Sequence, residues 1–185
     1  MIMKHLKIKM MSIAFMAVTT SSMAQSLNKM NWLNEPQQWE IKDGKTLVMD
    51  VPAKTDFRRI SHYGFTVDDG PFYYATYGGE FEAKVKITGN YVTTFDQMGL
   101  MLRIDHENWI KAVRRLDAVE IFFSRDDKEY IMMRTCWLQD NCPVMVGLMG
   151  ACPDGKGFTA TFEEFKVTPL ADQRRLEWAK RQMNK

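Results

Sequence analysis

An all-β sandwich or barrel is the fold class that this sequence predicts, and three observations carry the prediction. Residues 30 to 168 show almost no helical periodicity; short apolar or alternating runs recur along them; and turn-forming clusters separate those runs at even spacing. The clearest run is Glu80 to Ile87, where Phe81, Ala83, Val85 and Ile87 alternate with charged residues. Successive side chains of a strand point to opposite faces, so this run has one buried and one wet side. Gly89-Asn90 ends it with a turn.

The other strands follow in order. Thr46 to Val51 precedes Pro52, and Phe72 to Tyr77 precedes Gly78-Gly79. Gln97 to Ile104 and Trp109 to Arg115 flank a polar turn and read as a hairpin. Val119 to Ser124 and Tyr130 to Cys136 flank Arg125-Asp126-Asp127-Lys128-Glu129 and read as a second hairpin. Val144 to Gly150 and Phe158 to Val167 complete the set. In the last strand Phe158, Ala160 and Phe162 share a face, while Phe165 and Val167 fall one step out of phase, which predicts a bulge at Glu163-Glu164.

The two ends differ from this middle. Residues 1–24 read as a secretory signal peptide: Lys4, Lys7 and Lys9, then a largely apolar run from Met10 to Val18, then small residues ending at Ala24. Cleavage is expected between Ala24 and Gln25, because the apolar run falls well short of the ~20 residues needed to span a bilayer. The protein is therefore expected to be exported, periplasmic or secreted. Residues 25–169 form the sandwich domain, and residues 170–185 a helical tail, with Thr168 as cap and Pro169 at its first position.

Removing three lysines changes the formal charge from +2 to −1, and much of the remaining basic excess lies in the tail. A weakly acidic domain is a poor binder of polyanions, so nucleic acid is not an expected partner. Cys136, Cys142 and Cys152 show no zinc spacing, and no metal or cofactor motif is present. Export permits a disulfide, and Cys136 and Cys142 bracket a short connection between what read as adjacent strands. A Cys136–Cys142 bond is expected, with Cys152 left over; three buried thiols is the competing reading.

Several blocks in order carry a family resemblance: Thr55-Asp56-Phe57, His62-Tyr63-Gly64-Phe65, Asp96 to Arg103, Trp109-Ile110-Lys111-Ala112, Val146 to Met149, Pro153-Asp154-Gly155 and Phe162-Glu163-Glu164-Phe165. From about residue 30 to 168 the chain resembles the bacterial and fungal domains of unknown function related to yeast regulation of enolase protein 1. The resemblance implies a concanavalin A-like jelly roll of two antiparallel sheets with one concave face. It implies no settled activity. Relatives in the wider superfamily bind or cleave glycans, but a fold alone does not transfer function. The chain departs from the family at Arg58-Arg59, where an aromatic is usual, and at Pro71, where a histidine is common.

Strand phase points to one candidate face. Met98, Leu100, Leu102 and Ile104 suit a core, so Gln97, Arg103, Trp109 and Lys111 should project together from the opposite side. An amide, two cations and an indole would suit a polar ring ligand. An ordinary wet sheet face accounts for them equally well. On the ligand reading, Arg103→Ala should change stability by no more than about 0.5 kcal/mol. His62, at a likely strand entry, is either a structural histidine or a ligand contact.

Glycoside hydrolysis usually needs two carboxyl groups flanking the bond, and nothing in the spacing selects such a pair. Nucleophile elbows and phosphate loops are also missing. The expected function is an exported, non-catalytic binding domain that takes a carbohydrate or similar polar ligand on the concave sheet face. A protein-interaction or regulatory domain is the alternative, and a glycosidase or lyase a weaker one.

Overall fold

The computed structural model describes residues 27–59, 64, 66–105, 118–139, 142–171 and 180–183, with the backbone alone at 109–110 and 113–115. The strands pair into two large antiparallel sheets and one small one. The five-stranded sheet takes the order β1 (Asn31–Leu33), β6 (Phe72–Tyr77), β13 (Val144–Ala151), β8 (Gln97–Arg103) and β9 (Trp109–Ile110). The seven-stranded sheet takes the order β12 (Ile131–Trp137), β11 (Ala118–Phe123), β10 (Val113–Arg115), β7 (Phe81–Gly89), β14 (Phe158–Pro169), β3 (Thr46–Val51) and β2 (Trp39–Lys42). A two-stranded ribbon, β4 (Phe57–Arg58) and β5 (Val67–Asp68), stands apart from both.

The two sheets pack on the faces that strand alternation selects. Leu47, Met49 and Val51 of β3, Ala160 and Phe162 of β14, and Leu102, Val146 and Leu148 of the facing sheet are fully or almost fully buried in one core. A buried side chain of this size contributes roughly 1.5–3 kcal/mol. The phase break in β14 is real: the pairing with β7 shifts between Glu163 and Lys166, and Glu164 takes a positive φ of 56°. The extra residue lets Phe165 and Val167 return to the core. Tyr73 donates from its hydroxyl to the Leu27 carbonyl, which holds the turn at Leu27–Lys29 against the sandwich.

Three expectations need correction. First, Trp109 to Arg115 is not one strand. Trp109 pairs with Arg103 in the five-stranded sheet, whereas Val113–Arg115 pairs with β11 and β7 in the other, so the chain changes sheet in between. Second, Thr168 and Pro169 do not start a helix: they continue β14, opposite Glu82 and Phe81 of the long strand β7. Residues 180–183 are helical, and residues 172–179 lie outside the described residues. Third, the Cys136–Cys142 bond is not made, and all three cysteines are thiols. The reason is topological: β12 and β13 lie in different sheets, so the segment between them crosses the sandwich instead of closing a hairpin. The Cys142 thiol turns back to the Gln139 carbonyl at 3.4 Å.

Candidate functional site

The outer face of the five-stranded sheet is not open. The segment that carries β4 and β5 folds over it as a flap, and Phe57 drives a second small core there with Phe72, Met101, Met149 and Ala151. Gly70 lies at the base of the flap for a steric reason. A Cβ there would lie 2.6 Å from both the Gly150 carbonyl oxygen and the Phe57 ring.

Thr55-Asp56-Phe57 anchors this cover. The Cys152 amide donates to the Thr55 carbonyl at 3.0 Å, which ties the flap to the end of β13. Asp56 is buried, and its carboxylate accepts from the Phe57 amide at 2.8 Å, Arg58 Nε at 2.9 Å and Gln97 Nε2 at 3.4 Å. Its own amide donates to Asp69 Oδ1 at 2.8 Å, and the Asp69 amide returns a bond to the Asp56 carbonyl. The side chain of Asn34 donates to the carbonyls of Asp68 and Gly70, both at 3.0 Å.

The strongest tie is ionic. Arg103 grips Asp68 with both prongs of its guanidinium, Nη1 to Oδ1 and Nη2 to Oδ2, each at 2.6 Å. Arg103 is only 4% exposed. Strand phase therefore placed Arg103 on the correct face, but as an anchor of the flap and not as an open ligand contact. Gln97 is likewise committed to Asp56 and to the Phe95 carbonyl. Trp109 is the register partner of Arg103, with its side chain outside the described residues. His62 and Lys111 also lie outside them.

Beside the flap an open cleft of about 400 Å³ remains, lined by Lys54, Asp56, Arg58, Val67, Phe95, Pro153 and Asp154. Three segments build it: the flap, the loop before β8, and the turn after β13. Lys54 takes a φ of 63° and reaches the Asp154 carbonyl at 3.4 Å, bridging two of these walls. The Arg58 guanidinium lies over the Phe95 ring, 6.0 Å from its centre, so a cation and an aromatic ring share one wall. Arg58-Arg59, which depart from the family pattern, thus fall on the cleft or next to it.

Asp96 braces the loop that presents Phe95. Burial by itself would raise its carboxyl, but bonds from Thr93 Oγ1 (2.6 Å), the Cys152 thiol and the amides of Thr93 and Val92 (both 2.8 Å) prevail, and its pKa falls to about 2. Burial, and then the bond to Asp96, push the Cys152 thiol up. A depressed carboxyl stabilises the fold above its unfolded pKa near 3.8, and that stability drains as pH falls toward 2. The shift corresponds to roughly 2 kcal/mol at neutral pH. Asp96→Asn should lose about that much in urea unfolding at pH 7 and almost nothing at pH 2; equal losses at both pH values would show that the carboxylate charge is not the cause.

Among the described residues, no group of three or more His, Cys, Asp or Glu could hold a metal ion, and no helix is long and apolar enough to cross a membrane. The two-layer antiparallel fold, with one sheet face capped by a flap and a polar cleft at its margin, is a concanavalin A-like jelly roll. The chain belongs to the family described as "Protein of unknown function (DUF1349)", whose model matches residues 32–114 and 111–170. It is 27% identical over 180 residues to regulation of enolase protein 1 of Saccharomyces cerevisiae, covering 77% of this chain and 90% of that protein. A solved structure, described as a functionally unknown protein from Saccharomyces cerevisiae, matches with a TM-score of 0.75 and 25% identity, over 80% of this chain and 100% of that one.

Proposed function

We propose that this is an exported, non-catalytic binding domain that takes a carbohydrate or similar polar ligand in the cleft between the flap and the Phe95 loop. The observation that supports this most is the wall chemistry. Phe95 offers an apolar ring face, Arg58 and Lys54 offer donors, and Asp154 offers an acceptor, around a space of about 400 Å³. That volume lies at the lower end of small-molecule sites. A sugar ring presents a matching pattern: an apolar face ringed by hydroxyls. Binding is favoured over catalysis because Asp56, the most buried carboxylate of the cleft, is already held by Arg58, Gln97 and a backbone amide. It is poorly placed to move protons. Screening the chain against a glycan array, with titration of each hit, tests the proposal. At least one saturable hit is expected, and no saturable binding across the array would overturn it.

A second reading, a protein-interaction or regulatory domain, has separate support. The yeast relative carries regulation in its name, and among the described residues the edge strand β12 exposes Ile131, Met133 and Trp137.

A further inference from the structure

Lys54 holds a backbone conformation that its side chain disfavours. Its φ of 63° lies in the left-handed region, where a Cβ crowds the following carbonyl. Asn34, Asp43 and Asp127 share that region, but Asn and Asp tolerate it through their short polar side chains. Lys54 and Glu164 lack that compensation, and of the two only Lys54 lines the cleft.

The conformation is imposed from both sides. Thr55, the next residue, donates from its hydroxyl to the Pro52 carbonyl at 2.7 Å and pairs with Cys152. Before the turn, the Val51 carbonyl and the Ala53 amide lie close against Gly157, where a Cβ would stand 2.8 Å and 3.6 Å from them. Ala53 and Lys54 are the central turn residues, and a positive φ at the second of them favours glycine. A lysine held there by its surroundings points to a use for the side chain. Packing is not that use, because Lys54 is exposed. Its bond to the Asp154 carbonyl, at 3.4 Å and in contact with solvent, is longer than an ordinary N–H···O bond and adds little stability.

The charges around it narrow the use. Lys54 and Arg58 balance Asp56 and Asp154 in the lining of the cleft. Arg58 and Asp56 already neutralise each other at 2.9 Å. Lys54 and Asp154 remain as neighbouring opposite charges, since Nζ reaches the Asp154 backbone. A ligand with a net charge gains from one of them and loses to the other. Two neighbouring hydroxyls gain from both, because a hydroxyl can accept and donate.

We propose that Lys54 is the specificity-determining residue of the cleft and that, with Asp154, it selects an uncharged sugar, an assignment that rests on the cleft being the sugar site. Nζ donates to one ring hydroxyl, and the Asp154 carboxylate accepts from the hydroxyl on the next carbon. The turn keeps a lysine where glycine would fit better because the ammonium is needed at this margin.

Matched tetrasaccharides on a glycan array test this: cellotetraose, mannotetraose and galactotetraose, each beside the tetramer of the corresponding uronic acid. The members of a pair differ by one carboxylate on each ring. At least one neutral member should bind, about tenfold or more tighter than its acidic counterpart. Lys54→Gly should weaken that binding by about tenfold or more, the loss of one hydrogen bond to a charged group. Its melting temperature should be no lower than that of the wild type, because the turn then holds its favoured residue. Asp154→Asn, which removes the repulsion and keeps the lysine, should narrow the gap between neutral and acidic members. A lower melting temperature or unchanged binding in Lys54→Gly would overturn the proposal. An acidic member that binds the wild type as tightly as its neutral partner would also overturn it, as would an unchanged gap in Asp154→Asn. If none of these tetrasaccharides binds, the proposal falls, and the rest of the array decides the reading beneath it. A saturable hit elsewhere keeps the cleft as a binding site for another ligand, and no hit removes both.

Discussion

Asp68→Ala is expected to cost about 3–5 kcal/mol of folding stability, an effect far larger than a surface aspartate would give. The reason is what it leaves behind. Arg103 sits at 4% exposure under the flap, and its guanidinium loses both of its 2.6 Å bonds to Asp68. A buried charge without its partner keeps the desolvation cost and loses the compensating attraction. Arg103→Ala removes the buried charge and leaves Asp68 with more access to water, so its loss should be smaller, about 2–3 kcal/mol. That still exceeds the near-neutral outcome an outward, solvated arginine would have. The double variant Asp68→Leu with Arg103→Met should return to within about 1–2 kcal/mol of the wild type, because replacing both members of a buried pair with apolar groups is often tolerated. Urea unfolding of the three variants at neutral pH measures this. Equal losses in all three would mean that the pair contributes by packing and not by charge.

The second large effect is steric and should come from Gly147→Ala. Gly147 stands in the middle of β13, opposite Tyr74 on one side and Met101 on the other. A Cβ there would lie 2.0 Å from the Tyr73 carbonyl oxygen and 2.7 Å from Tyr74 Cα. The obstruction is backbone in a central ladder, which no rotamer change can relieve, so β13 and β6 would have to part. The expected loss is roughly 3–5 kcal/mol, at the upper end of overpacking. Gly64→Ala makes the contrast: its Cβ meets nothing, and only its φ of 71° opposes the change. Thermal unfolding of the two variants compares them directly, and a Gly147→Ala protein as stable as Gly64→Ala would contradict the close packing of β13 against β6.

Much of the sandwich was legible because two-residue alternation is a local signal. Thr46–Val51 and Phe72–Tyr77 fall on the strands read from sequence, and the phase break after Phe162 marked the bulge at Glu164. The small elements were not legible. β4 and β5 have two residues each, too few for any period, and they matter because of what they cover. This is why the face of Gln97 and Arg103 was read correctly and its environment was not: alternation says which side a residue takes, not what lies over it. The cleft residues come from three separated segments, and no spacing joins Lys54, Phe95 and Asp154. A partial signal lay in Thr55-Asp56-Phe57 and in the departure at Arg58-Arg59, which mark the flap. The sheet change between Ile110 and Val113 was hidden because the apolar pattern runs on without a turn residue.

Recognition at the proposed cleft and recognition across the wider sheet face call on different aromatic residues. Phe95 and Trp109 separate the two. Phe95 adjoins the Gln97 end of β8, whereas Trp109 pairs with Arg103 at the other end, about 20 Å along the strand. The decisive measurement is the dissociation constant of the best glycan hit for the wild type, Phe95→Ala and Trp109→Ala. Binding should be about tenfold weaker for Phe95→Ala, the loss of one aromatic contact, and unchanged for Trp109→Ala. Binding lost at Trp109 and intact at Phe95 would contradict recognition at the cleft.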